Sequence, residues 1–235
     1  KPEVKKAGGV YYTPTYIVDY IVKNTVGKLC EGKTPKEITA LRILDPACGS
    51  GSFLIGAYTF LLNLHLDWYL KNGVGKHGKE MYEVSKGRWR LTTQEKKRIL
   101  LNNIYGVDID RQAVEVTKLS LLLKVLEGEN QQSIERQMTL FHERALPDLG
   151  SNIKCGNSLI GPDYFQGQLI PDNEELRRVN AFDWPAEFPT ILGGNLPESR
   201  RGFDAVIGNP PYVVYGKDLF PEPIVQYLSR YPVAQ

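Results

Sequence analysis

Apolar positions along this chain follow a helical period in some stretches and form short continuous runs in others, and the two kinds of stretch alternate. Ile17, Val18, Ile21, Val22 and Val26 recur at helical spacing ahead of Gly27. They predict a helix over about 14–28, with Thr13 able to cap it and Pro14 suited to the first helical position. Leu41-Arg42-Ile43-Leu44-Asp45 reads as a short buried strand, followed by a glycine-rich turn and an apolar stretch from Phe53 to Leu70 with helical period. A helix over about 93–102, a strand from Ile104 to Val107 ending in Asp108, and a helix from Ala113 to Leu126 come next. The last is marked by Val114, Leu119, Leu122, Leu123 and Leu126 and stops near Gly128. A weaker strand precedes Cys155-Gly156-Asn157, and Phe203 to Gly208 forms the last clear one. The prolines after it leave room for a short helix near 222–230. Strands alternating with helices imply an α/β fold, a doubly wound and mostly parallel sheet. The stretch 161–202, rich in proline, reads as a long irregular connection, and such connections often carry function.

Composition narrows the class. The chain has 235 residues, 42% hydrophobic and 24% charged, which suits one soluble globular domain with a core of its own. No apolar run reaches the roughly 18 residues of a membrane span, and the polar start lacks the apolar stretch of a signal peptide, so the expected location is cytoplasmic. Three cysteines (Cys30, Cys48, Cys155) without CxxC spacing, and three histidines (His65, His77, His142) outside any ligand pattern, suggest neither disulfides nor a metal. Cys48 and Cys155 read as small buried residues. The net charge of +2 is unevenly spread: residues 71–98 carry nine Lys or Arg against three Glu, a local +6. That stretch, with Tyr82 and Trp89 interleaved, suits phosphate contact, and it equally suits a solvated face.

Ligands of open parallel sheets bind beyond the carboxyl ends of the strands. Three expected strand ends here carry Asp45-Pro46-Ala47-Cys48-Gly49-Ser50-Gly51, then Tyr105 to Asp110, then Asn209-Pro210-Pro211-Tyr212. Gly49-Ser50-Gly51 begins like a dinucleotide fingerprint, but Leu54 stands where the third glycine belongs, and the next strand-end acid, Asp108, is far too distant in sequence. Asp45 would repel a pyrophosphate and attract an ammonium group. The glycines admit close approach, and Asp108 can accept two ribose hydroxyls. A nucleoside that bears an amino acid and no phosphate meets these terms: S-adenosylmethionine. Asn209-Pro210-Pro211-Tyr212 supplies the acceptor side. A conjugated exocyclic amine is a poor nucleophile, and the Asn209 side-chain oxygen with the Pro210 carbonyl can accept its two N–H hydrogens and turn the nitrogen lone pair toward a methyl group. Pro211 keeps the turn rigid, and Tyr212 offers a ring for a planar substrate.

These motifs, with Gly9-Val10-Tyr11-Tyr12-Thr13-Pro14 upstream and Cys155-Gly156-Asn157-Ser158 between, make the sequence resemble the N6-adenine DNA methyltransferases of the amino-methyltransferase superfamily. Within them the motif order is similar to that of type I modification subunits and fused type II restriction-modification enzymes. The resemblance implies a Rossmann-like domain for S-adenosylmethionine-dependent methyl transfer to the N6 amine of an adenine flipped out of double-stranded DNA. By it, Tyr12 and Thr13 wall the methionine end of the cofactor, which Asp45, Ala47 and Gly49 contact. Asp108 binds the ribose, Ile109 packs on the cofactor adenine, and Asn157 bonds that adenine's amine where the family often has Asp. Asn209, Pro210 and Tyr212 hold the target base. Tyr11 to Thr13 also read as a helix cap with aromatic packing. The run Phe182-Asp183-Trp184 favours DNA enzymes and equally reads as local packing.

The expected organisation is an N-terminal helical segment, 1–40, that contributes to the cofactor pocket, and a cofactor-binding and catalytic domain, 41–235. The resembled sheet has seven strands, so a sheet truncated after its fourth is expected. Sequence recognition would then rest with a specificity subunit or a C-terminal target-recognition domain. Two other readings stay open: a cofactor-binding module inactive without its missing part, and a methyltransferase acting on protein glutamine or RNA.

Overall fold

The computed structural model describes residues 13–129, 146–167, 172–210 and 222–230. Tyr12, Pro211 and Tyr212 therefore lie outside the described residues, as does the Gly9 to Tyr12 segment. Four strands, β1 (Ile43–Asp45), β4 (Ile104–Asp108), β5 (Ile153–Cys155) and β6 (Ala205–Val206), form one parallel sheet in the order β5-β4-β1-β6. Ile43 pairs with Ile104 on one side and Ala205 on the other, and Gly106 pairs with Ile153. The chain moves outward from β1 through β4 to β5 and then returns to the far side of β1. That reversal places a crevice beyond the carboxyl end of β1.

Helix α1 runs through Thr15–Val22, a π turn at Lys23–Gly27 and a last turn Lys28–Cys30. A short α2 (Pro35–Ile38) is held by a capping box between Thr34 and Glu37. The long α3 (Ser52–Lys71) leaves the glycine turn and runs back along the sheet. α4 (Thr93–Asn103) leads into β4, and α5 (Arg111–Leu126) leads away from it. Together these helices bury Val18, Val22, Leu54, Leu61, Ile99, Val114 and Leu121 against Ile43, Ile104 and Ile153. Leu119 and Leu123, counted in the expected apolar stripe of α5, are exposed; the buried face is Val114, Thr117, Leu121 and Val125. Both faces of that helix carry apolar residues, so periodicity alone does not select the inner one.

The other face of the sheet is covered differently. Leu44, Tyr105 and Val107 pack against Phe182, Trp184, Phe188, Ile191 and Phe203, which come from the long connection and its short helices α7 (Trp184–Glu187) and α8 (Pro189–Leu192). The 161–202 connection thus contributes core residues, with Phe182, Phe188 and Ile191 buried, although most of its described residues are exposed. It also holds α6 (Asn173–Val179), and α9 (Glu222–Leu228) packs Ile224, Tyr227 and Leu228 against Ile160 and Val179. The Phe182-Asp183-Trp184 run is packing: Phe182 is buried, and the Trp184 indole N–H donates to the Ser158 carbonyl at 3.2 Å.

The basic stretch also departs from expectation. It contains an antiparallel hairpin, β2 (Met81–Ser85) and β3 (Arg88–Leu91), turning at Lys86-Gly87, with Gly87 at φ +79°. Its charge is divided: Lys71, Lys76, Lys79, Lys86 and Arg88 are exposed, as on a solvated face, while two cations further along turn to carboxylates. Lys96 is buried and paired with Glu129 at 3.1 Å, and Arg98 is paired with Glu95 at 2.6 Å. Among the described residues no helix is long and apolar enough to cross a membrane.

Candidate active site

The loop after β1 is built around two carboxylates. Asp45 is 1% exposed and accepts the Ala47 N–H at 3.1 Å. Burial pushes its carboxyl up to about 7; the Ala47 N–H works against that shift, and the charge of Asp108 adds to it. Asp108, at the end of β4, accepts the Gly49 N–H at 2.7 Å through one oxygen and the Asp110 N–H at 2.9 Å through the other. The Cys48 N–H donates to the Val107 carbonyl, and the Thr117 hydroxyl donates to the Gly49 carbonyl, each within 2.9 Å. The turn is therefore stitched to β4 and to α5. Gly49 and Gly51 take left-handed conformations, φ +52° and +84°. A Cβ at Gly51 would lie 2.8 Å from Thr117, whereas one at Gly49 would meet nothing within 4 Å. Gly51 is thus a packing glycine, and Gly49 borders open space.

Beyond β4, Ile109 presents an apolar side chain 52% exposed, and Asp110 caps α5 by accepting the Gln112 N–H. Beyond β5, the Gly156 N–H donates to the Asp108 carbonyl, and Gly156 sits so close to Phe182 that a Cβ would lie 2.4 Å from its ring. Asn157 donates its N–H to the Asn180 carbonyl and accepts the Leu159 N–H on its side-chain oxygen at 3.1 Å. Asn180 is held at φ +46°. Cys155 is exposed, not buried as expected, with its sulfur 3.6 Å from both the Ile109 carbonyl and the Asn180 side chain. Strand ends face solvent at the crevice, which is why a small residue there escapes burial.

Beyond β6, the Ile207 N–H donates to the Leu44 carbonyl at 2.9 Å, and Gly208 lies on Asp45, whose oxygen would be 2.7 Å from a Cβ. Asn209 and Pro210 are exposed. The Asn209 side-chain NH2 donates to the Thr13 hydroxyl at 3.3 Å. Thr13 is not the helix cap that its position suggests: Pro14 occupies the cap site, and no side chain caps α1. The structure thus bonds Gly49 directly to Asp108, sets Asp45 within electrostatic reach of Asp108, and joins Asn209 to Asp45 through Gly208 and to Thr13 through a hydrogen bond. Ala47 belongs to the same turn, while Asn157 and Ile109 border it from β5 and β4. Sequence reasoning missed Thr117, Gly208 and Asn180; a polar Thr117 on the buried face of α5 was the available signal for the first.

The arrangement fits a zwitterionic nucleoside. It offers open space over Gly49, a buried carboxyl able to meet an ammonium, a strand-end carboxylate for hydroxyls and an exposed apolar side chain for a base. A cleft of about 1210 Å3 at the opposite end, walled in part by Tyr69, Glu95 and Arg98, contains none of these residues. Among the described residues no group of three or more His, Cys, Asp or Glu could hold a metal.

Residues 2–146 match the family N-6 DNA Methylase, and residues 102–229 match the family Eco57I restriction-modification methylase. The chain belongs to the N-6 DNA methylase family. This methylase-family chain is 34% identical over 227 residues, 96% of its length, to the Escherichia coli type II restriction enzyme and methyltransferase RM.Eco57I, of which it covers 20%. It is 33% identical over 194 residues, 67% of its length, to a Methanocaldococcus jannaschii protein named as a putative type II restriction enzyme and methyltransferase, of which it covers 15%. A Streptomyces coelicolor adenine-specific methyltransferase, PglX, is 25% identical over 98% of the chain, which spans 17% of it. The chain spans at most a fifth of the length of these curated relatives.

Proposed function

We propose that this methylase-family chain carries the cofactor-binding and catalytic residues of an S-adenosylmethionine-dependent DNA adenine methyltransferase acting in restriction-modification. The observation that carries the reading is the convergence of three strand ends on one crevice: Asp45 with the glycine turn, Asp108, and Asn209-Pro210. In this reading Asp45, Ala47 and Gly49 hold the amino-acid end of the cofactor and Asp108 its ribose, with Ile109 and Asn157 against its adenine. S-adenosylmethionine supplies an electrophilic methyl group. Asn209 Oδ1 and the Pro210 carbonyl accept the two N–H hydrogens of the target amine and so free its lone pair for attack. The amine proton becomes acidic as the new bond forms, so no strong base is needed. Tyr12 and Tyr212, outside the described residues, are assigned to the methionine wall and to stacking on the flipped base. The great length of the relatives supports a reading in which DNA sequence is recognised by segments other than these, within the same protein or in a specificity subunit.

Tritiated-methyl transfer from S-adenosylmethionine to mixed-sequence duplex DNA tests the proposal. The expected outcome is label in N6-methyladenine and a loss of at least about 100-fold in Asn209→Ala, because the acceptor that activates the amine is gone. Label in RNA or in protein glutamine, with none in DNA, contradicts it.

A further inference from the structure

The bond between Asn209 and Thr13 joins residues 196 positions apart, and nothing in helix capping explains it. Both ends are held by packed elements. Val18 of α1 sits against Gly56 of α3 so closely that a Cβ at Gly56 would lie 2.5 Å from a Val18 methyl. This contact fixes the start of α1, and Thr13 with it, over the carboxyl edge of the sheet. Asn209 follows Ile207, which is bonded to β1, and Gly208, which lies on Asp45.

An asparagine amide has one acceptor end and one donor end, and turning it over exchanges them. A target amine presents N–H hydrogens, so the donor end facing it repels and only Oδ1 serves. In the structure the NH2 end is turned away, onto the Thr13 hydroxyl. A hydroxyl can accept or donate; in the structure it accepts the N–H of Asn209 and leaves Oδ1 unused by this contact.

We propose that Thr13 is a positioning residue for Asn209: its hydroxyl holds the amide with Oδ1 free for the incoming amine. The inference rests on the reading of Asn209 as the group that receives that amine, and it ties the methyl-donor wall to the acceptor motif through one bond. In a Thr13→Val chain the wall keeps its shape, but the amide loses its partner and turns freely. Thr13→Ser keeps the hydroxyl.

The test uses the intact protein with Thr13→Val and Thr13→Ser and two readouts. The first is the side-chain NH2 signal pair of Asn209 in a 1H–15N spectrum, assigned by its loss in Asn209→Asp and recorded without cofactor. The pair is expected to shift and to exchange faster in Thr13→Val, and to stay near its wild-type position in Thr13→Ser. The second is kcat at saturating S-adenosylmethionine, expected to fall about tenfold in Thr13→Val, the worth of one hydrogen bond, and to recover to within about threefold in Thr13→Ser. An unchanged NH2 pair in Thr13→Val overturns the proposal, as does a Thr13→Ser enzyme as slow as Thr13→Val. Failure of the wild type to methylate any amine overturns the functional reading instead, and the spectrum still decides whether Thr13 holds the amide.

Discussion

Asp45 is a carboxyl almost sealed from water, and its folded state prefers the proton that an exposed aspartate gives up near pH 3.8; it titrates at about 7. Between those values the folded chain binds a proton that the unfolded chain has released. The contribution of this group to stability therefore falls as pH rises through that window and levels off above it. The slope is about 1.4 kcal/mol per pH unit where the difference is complete. Asp45→Asn removes the titration. Urea unfolding at pH 4.5 and pH 8 is expected to show Asp45→Asn gaining on the wild type by a few kcal/mol at the higher pH; parallel profiles would show that Asp45 is not held in this way. The penalty has a functional sense, because a cationic ammonium beside Asp45 would relieve it. His65, buried with its Nδ1 2.8 Å from the Leu61 carbonyl, is pushed the other way, its pKa lowered chiefly by desolvation. Its contribution is full at high pH and is lost as pH falls below its ordinary value of 6.5, so the Asp45 effect is read from the difference between the two proteins.

At the scale of elements, the docking of α1 on α3 sets where Thr13 stands. Gly56 leaves no room for a side chain, so Gly56→Ala drives a methyl into Val18 and is expected to cost about 1–3 kcal/mol. Hydrogen exchange should quicken over residues 15–30, and Val18→Ala in the same chain should restore part of the protection by opening the space. Equal protection in wild type and Gly56→Ala would mean that α1 does not depend on this contact. Much of the element pattern was legible beforehand, because β1, β4 and their helices are long or strongly apolar and end at Gly or at capping residues. The β2–β3 hairpin was not, since its Met81, Trp89 and Leu91 alternate within a run dominated by lysine and arginine, and the Lys86-Gly87 turn was the cue to look for. The aromatic residues from Phe182 to Phe203 were similarly hidden among prolines that read as a loop; they pack as a layer only because β1 and β4 offer Leu44, Tyr105 and Val107 on that face.

At the scale of the molecule, the site sits at one end of the sheet and the basic hairpin near the other. α3 has 20 residues, and at 1.5 Å per residue it carries the chain about 30 Å from Gly51 before the hairpin begins. The strand-end motifs were readable in the sequence because parallel sheets gather their ligands at one edge, and Asp45, Asp108 and Asn209 each follow a short apolar run. What joins them was not readable: Gly208 on Asp45, Thr117 on Gly49 and Thr13 on Asn209 are contacts between distant segments, and local pattern carries no record of them. Calorimetric titration of S-adenosylmethionine into the wild type and Asp108→Ala measures whether this edge of the sheet takes up the cofactor, with circular dichroism confirming that both are folded. Saturable one-to-one binding is expected of the wild type, with a loss of at least about tenfold in Asp108→Ala, the worth of hydrogen bonds to a charged acceptor. A folded wild-type protein that binds no S-adenosylmethionine, or an Asp108→Ala protein that binds it equally well, would mean that this edge is not the cofactor site.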